Sequence, residues 1–551
     1  MDHKEIVLKI DGMTCEACAA HVREALQGVE GVKEVEVRLT PGEACVVGDD
    51  GLSSDALVAA VERAGYRAEA VETGGGGGRP GNREGRADYD LLILGGGSAA
   101  FAAAIRGTEL GARVAMVNAG AIGGTCVNVG CVPSKTLIRA AEAHHRATHH
   151  PFEGIASTSR VSDFTRIIGQ KDALVNALRQ AKYVEVLQGL ENVTFIEGRG
   201  RLVSPRRVEV AGRTLNARRL IIATGASPWA PGIPGLAAAD YLTSTTAFEL
   251  RELPKSMIVL GGRYVALECS QMFARLGTRV TILQRSERIL PAEDPDLTKA
   301  LTGYLQAEGM EIVTGVAVRE VERDEKGYTV HAQVNGHTRA FRAKQLLCAT
   351  GRRPNTAGIG LEEVGVEVRP DGAVQVDEFL ETTVPGIYAA GDAVGDPSFV
   401  YTAAYEGALA AENALSGNRR QRDYTALPWV IFTDPQVAGV GLNETDARAQ
   451  GLEVDVAVLP LEHVPRALAA RDTRGFIKLI RAKGTDRLLG ARILAPEGGE
   501  LVMQASLAIR YQIPVSDLAK MFHPYLTLSE GIKLAAQTFG KDVAKLSCCA
   551  A

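Results

Sequence analysis

Little in this chain would tie it to nucleic acid or to a bilayer. Its 61 basic residues are outnumbered by 66 acidic ones, for a net charge of −5. No Lys/Arg cluster marks a nucleic-acid footprint, which argues against nucleic acid as a partner. No apolar run approaches the ~20 residues a membrane helix needs. The start, Met1-Asp2-His3-Lys4-Glu5, lacks the basic and apolar stretches of a signal peptide. These absences predict a soluble, cytoplasmic protein with no membrane insertion. Aromatics are scarce at 5%, whereas glycine supplies 60 of the 551 residues. That balance suits an α/β protein whose glycines serve nucleotide-binding turns. The length exceeds one ordinary domain, and about three or four are expected. Cysteine is sparse too. The nine present do not make a secreted disulfide framework, but six fall in close pairs: Cys15/Cys18, Cys126/Cys131 and Cys548/Cys549. In a reducing compartment, close pairs point to metal or redox chemistry.

The middle pair lies in Gly123-Gly124-Thr125-Cys126-Val127-Asn128-Val129-Gly130-Cys131-Val132-Pro133-Ser134-Lys135, at the mouth of a helix predicted over 134–150. A regular helix turns ~100° per residue, so residues five apart would point ~140° away from each other. The segment must distort for the thiols to meet, and Gly130 and Pro133 permit it. Such a spacing suits a reducible dithiol better than a structural disulfide.

Residues 1–72 read as a separate unit. Ile6, Leu8 and Ile10 alternate as a strand, 15–27 is helical, 32–37 and 44–47 alternate again, 52–64 is a second helix and 66–71 a last strand. That is the βαββαβ order of a ferredoxin-like fold. Cys15 and Cys18 stand at the start of the first helix. Exposed amides and the helix dipole there favour thiolates, the ligands soft cations prefer. Cys45 is expected in the core. By its Gly-Met-Thr-Cys-x-x-Cys loop and its length, the unit resembles the heavy-metal-associated domain of copper chaperones and metal pumps, which makes Cys15 and Cys18 metal ligands. The glycine-rich, polar stretch 73–86 reads as a flexible linker, tethering this unit at high effective concentration near the rest.

From residue 87 onward a second pattern begins. An apolar strand, Asp90-Leu91-Leu92-Ile93-Leu94, leads into Gly95-Gly96-Gly97-Ser98-Ala99-Ala100 and a helix, then a strand over 113–117. Gly95 and Gly97 permit a tight turn against a pyrophosphate. Asn118 stands where many such folds place an acid for the adenosine ribose. Two further segments fit the same fold: an apolar strand ending in Thr224-Gly225, and a stretch ending in Gly391-Asp392, where an aspartate can hold a ribityl hydroxyl. Together with the dithiol loop, these resemble the pyridine-nucleotide-disulfide oxidoreductases, the family of glutathione reductase and dihydrolipoamide dehydrogenase, over roughly residues 87–540. The resemblance implies FAD held by Gly95, Gly97, Ser98, Ala99, Asn118, Gly124, Thr125, Lys135, Thr224, Gly225 and Asp392. It makes Cys131 the thiolate nearer the flavin and Cys126 the exchanging thiol.

A second strand and turn, 256–260 with Gly261-Gly262-Arg263-Tyr264, repeats the pattern. Arginine replaces its second glycine, so Arg263 either obstructs the phosphate or contacts it. The next strand, 280–283, ends in Gln284-Arg285 with no acid to select a 2′-hydroxyl. Arg285 can pair with a 2′-phosphate, which favours NADPH over NADH. Gly351 belongs to the segment closing this domain. The resemblance places Glu268 near nicotinamide and flavin, paired with Lys135. Cys269 and Cys348 read as packing residues.

The fold class expected is therefore α/β. A ferredoxin-like domain (1–72) and linker (73–86) precede a Rossmann-like FAD domain (87–250, completed by 375–420), a Rossmann-like NADPH domain (251–374) and an α+β dimerisation domain (421–551). Disulfide-reducing members of the family carry His-Pro-Thr-x-x-Glu near the end. Here His523-Pro524 precedes, but counting back from Glu530 puts Tyr525 at the base position. A phenol with pKa near 10 is a poor general base at neutral pH.

The tail pair Cys548/Cys549, the dithiol loop, Tyr525 and the N-terminal metal unit together resemble the mercury-reducing members of the family. That implies a homodimer reducing thiolate-bound Hg(II) to Hg(0) with NADPH through FAD. Cys15 and Cys18 would pass metal to Cys548 and Cys549 of a neighbouring tail, and these to Cys126 and Cys131. Tyr183 and Tyr525, the latter from the other subunit, would line the metal site. Small thiols and other Hg(II) donors, a membrane mercury transporter among them, are the expected suppliers. The competing readings are a dihydrolipoamide- or glutathione-type reductase and a metal chaperone or sensor with a vestigial flavin core.

Overall fold

The computed structural model describes residues 4–11, 16–38, 43–49, 51–71 and 87–542. These divide into two compact units, one ending at Arg86 and one beginning at Ala87.

In the first unit the strands Lys4–Asp11, Val32–Arg38, Glu43–Gly48 and Arg67–Val71 form one antiparallel sheet, with the first strand paired on both sides. Alternation puts Ile6, Leu8 and Ile10 on one face. There they bury against Ala19, Val22 and Leu26, spaced at helical intervals on Glu16–Gln27, and against Leu57 and Val61 of Ser54–Arg63. This is the βαββαβ order expected. Cys45 corrects its expectation. Ala44 and Val46 take the core positions of that strand, and Cys45, between them, is only half-buried on the other face.

The second unit is built on two parallel sheets. Tyr89–Leu94 lies between Val114–Asn118 and Arg213–Ile222, with Val193–Glu197 and Ile387–Ala389 outside them. Leu91, Leu92, Ile93 and Leu94 are all buried, as a parallel strand covered on both faces requires. One cover is the helix pair Ser98–Glu109 and Val400–Ser416. Both are alanine-rich along the contact, and Gly407 lets the backbones touch. A methyl there would lie 2.0 Å from the Ala99 carbonyl oxygen.

The second sheet runs Glu311–Val313, Arg279–Leu283, Ser256–Leu260 and Gln345–Cys348, all parallel. The chain enters this region through Ala226–Pro228 and leaves through Arg352–Pro354, and the two segments pair antiparallel. A five-stranded sheet, antiparallel throughout, closes the C-terminal part. One core runs through these regions: Leu137 of the helix after the dithiol, Phe273 beside the second sheet, and Ile431, Val437 and Leu494 of the last sheet share it. Among the described residues no helix is long and apolar enough to cross a membrane.

Candidate active site

The dithiol loop folds as two helices broken at one residue. Cys126 lies in Gly124–Val129 and Cys131 opens Cys131–Thr148, with Gly130 between them at φ −121°, ψ −109°. The helix thus starts three residues before its expected position at 134. Gly130 makes the break possible, because a Cβ there would press to 2.9 Å of the Thr125 carbonyl oxygen. Pro133 falls in the first turn, where its missing N–H costs nothing.

The two thiols are hydrogen-bonded, and neither is in a disulfide. Cys131 is held down to about 7, chiefly by the hydrogen bond from Cys126; burial opposes this and the Lys135 ammonium adds to it. Cys126 is pushed above the ordinary thiol range by giving that hydrogen bond and by burial. Cys131 is therefore the thiolate of the pair, and Cys126 the thiol.

Lys135, one turn along the same helix, reaches Glu268 at 2.7 Å. Glu268 is buried on Tyr264–Arg275, and its other oxygen accepts from the Phe432 amide at 3.0 Å. The Lys135 ammonium also lies 4.5 Å from the Phe432 ring centre. Tyr183 approaches the loop at Gly123, on the π-helical turn Gln180–Val184 that continues Phe164–Arg179. It packs edge-on against Phe101 at 4.9 Å and is hydrogen-bonded to Ser98. Burial raises its phenol, and both thiols act on it electrostatically.

The cradle beside the dithiol fits a dinucleotide such as FAD. Gly95 takes φ +139°, and a Cβ there would lie 2.1 Å from the Ala223 carbonyl oxygen. Gly124, at φ +63°, packs so closely on Gly97 that a Cβ would fall 2.6 Å from its Cα. The Thr224 hydroxyl is buried without a hydrogen-bond partner, as a group meant for a ligand would be. Burial pushes the Asp392 carboxyl up, while Arg352 opposes the shift from 3.9 Å.

The second glycine turn repeats the first. A Cβ on Gly261 would lie 2.4 Å from the Ala349 oxygen, as Gly95 does against Ala223. Gly262 packs on Gln284 as Gly96 packs on Asn118. Gln284 is thus the spatial counterpart of Asn118, and Arg285 is exposed next to it. Arg263 has φ −109°, ψ −167°, close to Gly97 at −97°, −166°. That is extended backbone open to any residue, so arginine costs this turn no strain. Its side chain is exposed at the helix start.

Tyr525 is placed apart from this cluster, half-exposed among the exposed Met521, Phe522 and Leu526. Both ring nitrogens of His523 are engaged, with Met521 and Gln504. Glu530 is buried, and one carboxylate oxygen has no hydrogen-bond partner. Cys269 and Cys348 are buried. Cys18 is half-exposed on the helix Glu16–Gln27, and Cys15, Cys548 and Cys549 lie outside the described residues. Among the described residues no group of three His, Cys, Asp or Glu could hold a metal.

Three groups were missed from sequence. Arg352 donates to Thr125 at 3.3 Å and to the Ala226 carbonyl. Glu406, buried in an alanine-rich helix, accepts from the Gly391 amide at 2.6 Å. A lone acid in so apolar a stretch was its one signal. The third is the contact of Arg179 with Asn128, between the cysteines.

The family model for pyridine nucleotide-disulphide oxidoreductases matches residues 89–407, that of their dimerisation domain 427–536, and that of heavy-metal-associated domains 7–67. The chain belongs to the pyridine nucleotide-disulphide oxidoreductase family. Within it, the chain is similar to mercuric reductases. That of Staphylococcus aureus is 43% identical over the whole of both chains. That of Shigella flexneri is 45% identical over 98% of this chain and 99% of its own. That of Streptomyces lividans is 47% identical over 84% of this chain and 98% of its own. Among solved structures, a Cu(II) complex of the HOCl-induced flavoprotein disulfide reductase RclA from Escherichia coli superposes with a TM-score of 0.74. It is 30% identical, covering 83% of this chain and all of that one.

Proposed function

We propose that this chain is a homodimeric, cytoplasmic flavoenzyme that reduces thiolate-bound Hg(II) to Hg(0) with NADPH. The observation that carries the reading is the dithiol: two soft sulfurs in mutual hydrogen bond beside a dinucleotide cradle, with tyrosine rather than histidine at 525. Mercuric reductases at 42–47% identity support the choice of metal.

FAD, held by Gly95, Gly97, Ser98, Ala99, Asn118, Gly124, Thr125, Lys135, Thr224, Gly225 and Asp392, supplies hydride acceptance from NADPH and two-electron delivery. Gly261, Arg263, Arg285 and Gly351 bind NADPH, with Arg285 on the 2′-phosphate.

The residues of the chain do the rest. Cys131 attacks first, because it is the thiolate. Hg(II) exchanges from two small thiolates onto Cys131 and Cys126, and the Cys126 proton leaves with one of the departing thiolates. Two electrons then convert the chelated ion to Hg(0) and leave two thiolates, one of which regains a proton to restore the starting hydrogen bond. Lys135 is neutralised by Glu268, so it favours the Cys131 thiolate without leaving a large net charge beside the dithiol. Tyr183, and Tyr525 from the second subunit, flank the metal. Cys15/Cys18 and then Cys548/Cys549 relay it, so that no free ion forms.

The test is NADPH oxidation by the purified protein with Hg(II) in excess small thiol, set against oxidised glutathione, lipoamide and Cu(II). A mercury-dependent rate well above the others is expected. Faster turnover of either disulfide would move the assignment to a disulfide reductase. No NADPH oxidation with any substrate would leave a metal chaperone or sensor.

A further inference from the structure

We propose that Arg179 is a positioning residue for Cys126, acting through Asn128 to hold the short helix that carries the outer sulfur. Asn128 lies between the two cysteines. Its amide nitrogen donates to the carbonyls of Ile122 and Gly124, each at 2.9 Å, and its amide oxygen accepts from Arg179 Nε at 2.6 Å. Three segments therefore meet on one side chain: the turn entering the loop, the Cys126 helix and the helix that ends at Arg179.

The direction of these bonds matters. An amide has one accepting and one donating edge, and a guanidinium can only donate. Arg179 therefore commits the amide oxygen to itself and the amide nitrogen to the two carbonyls. Without it the two donations to Ile122 and Gly124 remain, but the tie from the Cys126 helix to the helix ending at Arg179 is lost. The bond is charge-assisted and half-buried, which puts it among the stronger ones.

Arg179 and Tyr183 are four residues apart across the π-turn, so they share a face. The helix that contacts Asn128 thus continues directly into the turn that carries the Tyr183 phenol. A π-turn at this point agrees with the tendency of such turns to occur at functional sites.

Cys131 is held by other means. It starts the next helix beyond the Gly130 break, where the Ser134 amide donates to the Gly130 carbonyl at 3.0 Å, and it faces Lys135. Loss of Arg179 therefore loosens the Cys126 sulfur and leaves the start of the Cys131 helix in place. In its consequence for metal chelation the inference rests on the function proposed above, but its measurement does not.

The experiment uses the full-length holoenzyme reduced by two electrons, without metal. Two quantities are read: the rate at which iodoacetamide alkylates Cys126, followed by peptide mass, and the long-wavelength charge-transfer absorbance of the Cys131 thiolate with flavin. Arg179→Met, which keeps the stem but has no donor, should alkylate Cys126 about tenfold faster, with the charge-transfer band retained at high pH and its pH midpoint raised toward that of Cys126→Ala. Arg179→Lys, which still donates, should fall between. Asn128→Asp keeps the pairing with Arg179 but loses both donations to the carbonyls, so it should match Arg179→Met, and it carries the test if that variant loses FAD. An unchanged Cys126 rate in either variant overturns the proposal. So does a band that weakens even at high pH in step with faster alkylation, which would mean general loosening of the site. A wild-type protein inert toward mercury would sink the functional reading and leave this comparison standing.

Discussion

The Lys135 ammonium lies 2.7 Å from the Glu268 carboxylate, and the Phe432 amide occupies the second carboxylate oxygen at 3.0 Å. A helix of the dithiol region, a helix of the second dinucleotide fold and a segment of the C-terminal part are thereby joined at one buried acid. Glu268→Gln keeps the shape but removes the charge that offsets Lys135. Because that carboxylate opposes ionisation of Cys131, its loss should move the onset of charge-transfer absorbance to lower pH. It should also lower the holoenzyme's resistance to urea by about 1–3 kcal/mol. An onset shifted upward would contradict the electrostatic role assigned to this pair.

Cys126 is the main cause of the low Cys131 value, so the outer thiol sets the pH range of the inner one. The sign follows from a depressed thiol. The Cys131 thiolate is fully formed above the ordinary value of 9.0 and is lost as pH falls through about 7. Whatever stability it lends the reduced protein fades in the same direction. Cys126→Ala removes the donor and should raise the pH midpoint of the charge-transfer band. Cys126→Ser retains a donor and should raise it less. Equal midpoints for the two would show that burial, not the hydrogen bond, governs the pair.

Gly407 is needed for closeness rather than for an unusual backbone angle. Gly407→Ala drives a methyl against the Ala99 carbonyl and should separate the two helices beside the FAD cradle. We expect a loss of about 1–3 kcal/mol together with weaker FAD retention on gel filtration. Full FAD content and an unshifted melting temperature would argue against this packing.

Arg263 occupies a glycine's place without strain, so Arg263→Gly should leave the fold intact. If its exposed guanidinium meets the NADPH phosphates, affinity for NADP+ in calorimetry should fall about two- to fivefold. The salt dependence of binding should shrink as well. Unchanged affinity would mean that the arginine is only tolerated there.

Residues 87–542 belong to a compact unit of their own. Deleting residues 1–86 should leave an FAD-containing protein with most of its turnover when small thiols supply Hg(II). A truncated protein that folds, binds FAD and is dead under those conditions would show that the N-terminal unit does more than deliver metal.

Much was already determined by local pattern. The period-two and helical alternation of the first unit, the apolar strands leading into Gly95 and Gly261, the spacing of the thiols and the tyrosine at 525 are short-range features that survive without a fold. Tertiary structure decided the rest, because it depends on atoms far apart in the chain. Gly130 breaks the helix where Thr125 crowds it, so the second helix begins at Cys131 rather than at 134. Cys45 faces away from the core because Ala44 and Val46 fill it. Arg263 is tolerated because its backbone is extended and its side chain is exposed. The Lys135–Glu268 pair was implied by the family resemblance, whereas its contact with Phe432 and the arginine that orients Asn128 were packing outcomes. They turn two cysteines at a plausible spacing into one thiolate and one proton donor.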